Sequence, residues 1–250
     1  GSMFCRPSRL LTVGTMLKKS EVIFGGEENL KQQIINVYRQ YNPRIIVIIS
    51  TCVPQLIGED VKGVITELQE QIPELKVTYC ETGFNHPRST PMGNDVSWKA
   101  IVDVLEPQEM VKISVGLLGR AGQDADSLGT LTAPLREAGI TTYAFPAGHL
   151  DEMAGIVKTE YLCPIQLVPY LTCRRLSERF GSVVKFFEIP AGIEGTSRFL
   201  RGVAELTGNQ QLPGIIDREE AKVLPRLRKI QARFREEPVR ALLVTGPSNE

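Results

Sequence analysis

Strand-like and helix-like segments alternate along this chain, and the alternation restricts its fold more than any other feature. The run "RIIVIIS" over residues 44–50 is almost wholly apolar, as in a strand buried on both faces. Residues 57–72 follow with apolar side chains at helical spacing, which predicts an amphipathic helix. The same succession continues to residue 208. Further strands are predicted over 76–81, 111–119, 140–145, 160–168 and 183–189, and further helices over 95–105, 126–139, 150–158, 169–181 and 196–208.

This order of segments predicts an α/β fold: a Rossmann-like, mainly parallel sheet with helices on both faces. In such sheets ligands collect at the carboxyl ends of the strands. Gly139 and Gly208 are expected to end their helices, and His149 is expected to cap the helix that follows it.

The two ends of the chain are interpreted separately. Residues 1–3, Gly-Ser-Met, are interpreted as an expression scar, and residues 4–237 as one α/β domain that ends in a charged helix over 217–237. The run "VRALLVTG" at 239–246 has the pattern of a buried strand. Residues 238–250 are therefore predicted to begin a second, truncated α/β domain.

Composition excludes several classes of protein. Lys and Arg together number 29, and so do Asp and Glu, which argues against a dedicated nucleic-acid binder. No apolar run approaches the roughly 18 residues that span a bilayer, so no membrane partner is expected. The five cysteines are scattered without a CxxC pair, which indicates a reduced cytoplasmic protein and excludes a self-contained zinc finger or ferredoxin-type cluster.

Cys52 stands out among these cysteines because it follows a predicted strand and precedes a predicted helix. Unpaired N–H groups and the positive end of the helix dipole favour a thiolate at such a position. A thiolate can bind iron or act as a nucleophile. The alternative is a small buried filler, which is the commonest role of a free cysteine.

Several segments resemble one known family in the same order along the chain. The most specific are "EVIFGGEENLKQQI" at 21–34 and "STCVPQLIGEDV" at 50–61, followed by the segments 116–140, 189–208 and 224–246. Together they resemble the nitrogenase component 1 family. That family includes the nitrogenase molybdenum-iron protein subunits, the scaffold subunits that assemble their cofactor, and the dark-operative protochlorophyllide reductase subunits.

The resemblance implies a metal ligand. In the family, the cysteine of "STC" ligates an iron–sulfur cluster shared between two subunits, and this role falls on Cys52. The family uses two further cysteines before the "FGG" segment, where this chain has only Cys5, which matches neither position. The isolated chain is therefore expected to carry no complete cluster.

The resemblance also implies a set of cofactor-binding candidates. The loop over 80–95 matches a family loop that borders the active-site or cofactor cavity, and it contains Asn85, His86 and Arg88. A further candidate, Arg120, follows the strand over 111–119, in a loop interpreted from its position at the strand ends as facing a ligand or another subunit. An exposed polar loop is the alternative in both cases. Pro91, Met92 and Gly93 stand where the nitrogenase-type loop has a pair of histidines.

Three functions follow from this resemblance. The first is a nitrogenase-like reductase subunit, paired with a homologous sister subunit and supplied with electrons by an ATP-dependent iron–sulfur reductase protein. ATP would bind that partner, in keeping with the lack of a P-loop in this sequence. The second is a scaffold that holds a metal-cluster precursor, and the third is a cluster-free interaction module. The isolated chain is expected to be inactive, and its substrate is not predicted.

Overall fold

A computed structural model of the protein describes residues 11–16, 19–82, 90–119, 125–166, 169–236 and 240. The chain divides into two compact units, residues 1–106 and residues 107–250. The predicted boundary at 237/238 and the predicted strand at 239–246 fall, apart from Arg240, outside the described residues. Both remain predictions.

The first unit contains two strands and five helices among its described residues. The strands pair in parallel, with Ile46 opposite Val77 and Ile49 opposite Cys80. The elements in chain order are α1 (Lys19–Phe24), α2 (Glu27–Tyr41), β1 (Ile46–Ile49), α3 (Cys52–Leu56), α4 (Val61–Gln71), β2 (Val77–Cys80) and α5 (Thr90–Asp103).

Helices cover this small sheet on both faces. Ile34 of α2 and Leu68 of α4 are buried in one apolar cluster together with Val77 of β2. On the opposite face, Cys80 of β2 packs with Val96 and Ala100 of α5. The alternation of side chains along a strand divides the apolar residues of β2 between these two layers.

The second unit contains a four-stranded parallel sheet in the order β4-β3-β5-β6. Its described elements in chain order are β3 (Val111–Leu118), α6 (Ala125–Glu137), β4 (Thr141–Phe145), α7 (Leu150–Ala154), a 3₁₀ helix (Gly155–Lys158), β5 (Thr159–Pro164), α8 (Tyr170–Phe180), β6 (Val183–Val184), α9 (Gly192–Thr207) and α10 (Leu212–Glu236).

Helices flank this sheet on both faces as well. Val115 and Leu117 of β3 pack with α6, α9 and the first part of α10 in one buried core. Gly116 points to the opposite face, where a Cβ atom at this position would lie 2.7 Å from Ile156 Cδ1 of the 3₁₀ helix. A side chain at Gly116 would therefore force the Ile156 side chain to move.

A bulge interrupts β3 near its start. The pairing with β5 shifts register between Val111 and Val115, and Ile113 adopts a left-handed φ of 56°. The Ile113 N–H donates to a carboxylate oxygen of Glu160 at 2.6 Å, and the Glu160 N–H donates to Ser114 Oγ at 3.0 Å. Hydrogen bonds to the side chains of Glu160 and Ser114 thus replace the regular backbone hydrogen bonds between β3 and β5 at the bulge.

The structure confirms the predicted fold class and refines it. All described strand pairs are parallel, but the strands form two sheets where the sequence pattern predicted one. The strand predicted over 183–189 is regular only at Val183–Val184, and the helix predicted over 57–72 begins at Val61. Gly208 ends α9 in the left-handed conformation, as predicted. His149 occupies the N-cap position of α7, although its side chain makes no capping hydrogen bond.

Candidate functional site

Cys52 lies at the carboxyl end of β1, as the sequence pattern predicts. The strand ends at Ile49, and Cys52 is the first residue of the five-residue helix α3. The preceding residue, Thr51, is in an extended conformation at the N-cap position of that helix. Cys52 is exposed, which rules out its interpretation as a buried filler.

The segment before Cys52 is fixed by hydrogen bonds that converge on Ser50. The Tyr79 hydroxyl and the Gln55 side-chain amide each donate to Ser50 Oγ at 2.9 Å. The Thr82 hydroxyl donates to the Ser50 carbonyl at 3.0 Å. Because Ser50 is also buried, these bonds hold the start of α3 against the end of β2.

Hydrogen bonds join the segments 21–34 and 50–61, in which the resemblance to the family is most specific. The Gly26 N–H donates to a Glu59 carboxylate oxygen at 2.8 Å. In the reverse direction, the Asp60 N–H donates to a Glu27 carboxylate oxygen at 2.9 Å. The "FGGEE" segment at the start of α2 is therefore hydrogen-bonded to the "IGED" segment that follows α3. This reciprocal pair of bonds limits the movement of the chain just after α3.

The glycines of these two loops have a conformational role. Gly25 has a φ of 95° and Gly58 a φ of 74°, in the region where other residues are strained. A Cβ atom at either position would meet no heavy atom within 4 Å. The requirement for glycine in both motifs thus comes from the backbone and not from crowding.

We expect Gly58→Ala to lower the free energy of unfolding of the first unit by about 1 kcal/mol, because alanine is disfavoured at positive φ. Gly93→Ala provides the matched control, since Gly93 lies inside α5 with open space around it and should gain about 0.5–1 kcal/mol. Urea denaturation followed through Trp98, the single tryptophan and a residue of the first unit, measures both. Equal effects of the two substitutions would contradict the conformational role of Gly58.

Exposed apolar side chains accompany Cys52. Ile49, on the strand that leads to it, is 65% exposed, and Leu56, at the end of α3, is 67% exposed. Val47 and Val53 are exposed as well. Grouped apolar exposure of this kind marks surfaces that bind other proteins or ligands.

The other described cysteines are buried, as predicted for core-filling residues. Burial raises the pKa of Cys163 to about 12. Burial also raises the pKa of Cys80, and a contact of 3.2 Å between its sulfur and Ser97 Oγ opposes part of that rise. Cys173 is buried within α8. Cys52 is thus the accessible thiol among the cysteines that the structure describes.

The remaining predicted site residues, Asn85, His86, Arg88 and Arg120, lie outside the described residues, as does Cys5. Their roles remain predictions. Within the described ranges, no three or more His, Cys, Asp or Glu side chains are grouped so that they could hold a metal ion. Among the described residues, the predicted ligand Cys52 is therefore not part of such a group.

A cavity of about 690 Å³ opens in the second unit beside the edge strand β4. Its polar lining includes Arg136, near the end of α6, and Glu152 of α7. The cavity has no cysteine or histidine in its described lining, so it offers no sulfur or imidazole ligand. The other lining residues are Leu128, Thr132, Gly139, Ile140, Thr141, Thr142, Tyr143, Ala144 and Ala147.

Comparison with known proteins decides the family. The model of the family described as nitrogenase component 1 type oxidoreductase matches residues 2–250. The chain belongs to this family. The resemblance inferred from the sequence motifs is thereby confirmed. Cys52 of this component 1 type chain lies in the segment 50–61, one of the two segments in which that resemblance is most specific.

Relatives of this component 1 type chain include proteins of two kinds. The nitrogenase iron-molybdenum cofactor biosynthesis protein NifE of Methanococcus maripaludis is 28% identical over 210 residues, which cover 79% of this chain and 42% of that protein. The nitrogenase molybdenum-iron protein alpha chain of Methanothermobacter marburgensis is 28% identical over 227 residues, which cover 87% and 46%. The chain spans less than half the length of both relatives.

A solved structure, "Nitrogenase Cp1 at pH 5", has the same fold. It superposes with a TM-score of 0.69 at 20% identity, over 84% of this chain and 44% of the chain in that structure.

None of the helices within the described residues of this component 1 type chain has the length and apolar character to cross a membrane.

Proposed function

We propose that this chain forms part of a nitrogenase-like reductase subunit in which Cys52 supplies one thiolate ligand to an iron–sulfur cluster. The cluster would be shared with a homologous sister subunit. The observation that carries the proposal is the accessibility of Cys52 at the carboxyl end of β1. The other three described cysteines, in contrast, are buried. Thiolates are the usual protein ligands of iron–sulfur clusters.

The surroundings of Cys52 support a site that a partner completes. Ile49 and Leu56 expose most of their apolar surface, which a sister subunit would bury on docking. Burial of this surface excludes water from the thiolate side of the site, and solvent exposure is one of the factors that set the potential of a cluster. The hydrogen bonds to Ser50 hold the start of α3 in place and so fix the backbone that carries Cys52.

In this proposal electrons come from an ATP-dependent iron–sulfur reductase protein. The bound cluster would supply one-electron transfer towards a substrate or metal cofactor. The residues of this chain contribute the thiolate of Cys52, the rigid segment around Ser50 and the apolar surface at Ile49. Asn85, His86, Arg88 and Arg120 are proposed to face the substrate or cofactor, as the resemblance to the family implies.

The second candidate is a scaffold that holds a metal cluster during assembly and performs no turnover. It is favoured by relatives that are named for iron-molybdenum cofactor biosynthesis. The same Cys52 site serves both functions. Incubation of the complex with the reductase protein and ATP separates them, because a reductase consumes electrons continuously, whereas a scaffold releases a cluster to an acceptor protein and then stops.

The proposed ligand is tested by Cys52→Ala in the complex with the sister subunit, purified without oxygen. We expect the iron and sulfide content of that complex to fall, or the electron paramagnetic resonance spectrum of its cluster to change, because one thiolate ligand is lost. Gel filtration would establish that the variant still forms the complex.

Cys173→Ala is the matched control, since it removes a thiol that is buried inside α8 and should leave iron unchanged. A Cys52→Ala complex with the iron content and spectrum of the natural protein would rule out Cys52 as a ligand. A natural complex that contains no iron would instead favour the cluster-free interaction module.

A further inference from the structure

The helix α10 has two parts with different surroundings. Leu212, Ile215 and Ile216, in its first part, are buried in the core of the second unit. From residue 221 onward the helix leaves that core: among residues 221–236 only Leu224 and Leu227 are partly buried, and the others are exposed. The second part of α10 therefore presents most of its surface to solvent.

This exposed part carries an apolar stripe. Val223, Leu227, Ile230 and Phe234, here called the α10 stripe, follow one another at intervals of four, three and four residues. That spacing is the heptad repeat of a helix that packs along another helix. Ile230 is 44% exposed and Phe234 is 56% exposed, so the stripe has no complete cover among the described residues.

Basic side chains accompany the α10 stripe, and two of them border it directly. At 100° per residue, Arg226 and Arg233 flank one side of the stripe, whereas Arg228 and Arg235 lie about 110–130° from its centre, beyond Gln231 on the other side. None of these four forms an ion pair within the described part of the chain. Across residues 222–236 there are six basic side chains and one acidic side chain, which gives the segment a net charge of +5.

Charge and spacing together select the occupant. A second copy of the segment would bring two charges of +5 side by side, which disfavours self-pairing. A membrane surface suits a helix with a broad apolar face and interfacial aromatic residues such as tryptophan, whereas this segment has a narrow stripe and no Trp or Tyr. A partner helix with acidic flanks complements both the stripe and its basic border at Arg226 and Arg233.

We propose that the α10 stripe is a docking face for an acidic amphipathic helix of a partner protein. Apolar side chains of that helix would cover Leu227, Ile230 and Phe234, and its flanking Asp or Glu side chains would pair with Arg226 and Arg233. The proposal concerns a surface of the second unit and does not depend on the cluster.

The test uses a synthetic 21-residue helical peptide with Leu at the a and d positions and Glu at the e and g positions of each heptad. Its binding to the 250-residue chain is measured by fluorescence anisotropy at physiological salt. We expect saturable binding that Arg226→Glu/Arg233→Glu weakens by about tenfold or more. The same variant should gain affinity for a peptide with Lys at e and g.

Two controls separate docking from general attraction between charges. Lys112→Glu/Lys185→Glu makes the same change of charge at exposed positions of the second unit and should leave binding within about twofold. Ile230→Asp/Phe234→Asp removes the apolar contacts at exposed positions and should abolish binding without unfolding the protein.

Five results would overturn the proposal. Four of them are equal binding of a scrambled acidic peptide, no effect of either α10 variant, a concentration-dependent dimer in light scattering that Phe234→Asp abolishes, and binding to vesicles containing phosphatidylserine without binding to the peptide. A stripe that binds nothing and is protected from hydrogen exchange would show that it is covered from within the chain, which also contradicts the proposal.

Discussion

At about pH 7.5, Cys52 is expected to react with iodoacetamide at least about 100-fold faster than Cys163, because alkylation needs an accessible thiolate. Cys52 is exposed, whereas Cys163 is buried and its pKa is raised to about 12. A thiol with that pKa is ionised to only about 3 parts in 100,000 at pH 7.5. The pKa of Cys80 is also raised by burial, so Cys80 should react slowly as well.

Peptide mapping after timed alkylation measures the rate at each cysteine. In concentrated urea the rates should converge, because unfolding removes the burial that protects Cys80 and Cys163. The rate at Cys163 should also rise with pH up to about 12, since its thiolate fraction increases over that whole range. Faster labelling of Cys163 or Cys80 than of Cys52 in the native protein would contradict the structure around these residues.

Replacement of Phe199 by alanine is expected to destabilise the second unit by about 3–5 kcal/mol, the cost of a large cavity in a packed core. Phe199 is fully buried, and its ring packs edge-to-face against Phe187 with centroids 5.7 Å apart. It also lies in the cluster that joins β3, α6, α9 and α10. Its loss would therefore weaken the support of the whole sheet on that side.

Hydrogen exchange of the α9 and β3 amides measures this loss, since amides in a core exchange through large openings. Phe186→Ala is the matched control: Phe186 is 65% exposed and should change stability by about 0.5 kcal/mol or less. Trp98 fluorescence follows the first unit separately. Unchanged exchange in α9 of the Phe199→Ala protein would be incompatible with the described core.

The class of fold and most elements were predictable because their apolar patterns reflect burial. The strand over 44–50 reads as apolar throughout, and β1 occupies Ile46–Ile49 within it. Helices such as α9 carry a strong apolar face that packs into the core, which is why the pattern predicted them, although α9 begins at Gly192 and not at residue 196. A pattern along one strand contains no information about which neighbour it pairs with, so the division into two sheets was not predictable.

The differences at element ends have local causes. The helix predicted to begin at residue 57 begins at Val61, because Gly58 takes a positive φ and the Asp60 side chain caps the new start by accepting from the Gly63 N–H. Residues 185–189 look like a strand by their apolar character, yet Lys185 makes the last backbone bond to β5, through the Leu162 carbonyl.

The site was predicted in part. The position of Cys52 after a strand followed from the sequence, since a strand end beside a helix start is a local feature. The role of Ser50 did not, because its partners Tyr79 and Thr82 lie about thirty residues away and become neighbours only when β1 pairs with β2. The one available signal in the sequence was that Ser50 is a polar residue at the end of an apolar run.

The bulge in β3 helps to determine the register in which β3 pairs with β5. From Val115 to Leu118 the strand is buried, and its apolar character alone does not distinguish one register from another, although Gly116 fits only where Ile156 of the 3₁₀ helix comes close. The Glu160 carboxylate accepts from one particular amide, that of Ile113, and Ser114 accepts from the Glu160 amide in return. These two bonds can form in one register alone. Two polar contacts therefore add alignment information to that of Gly116 in a strand that is otherwise apolar.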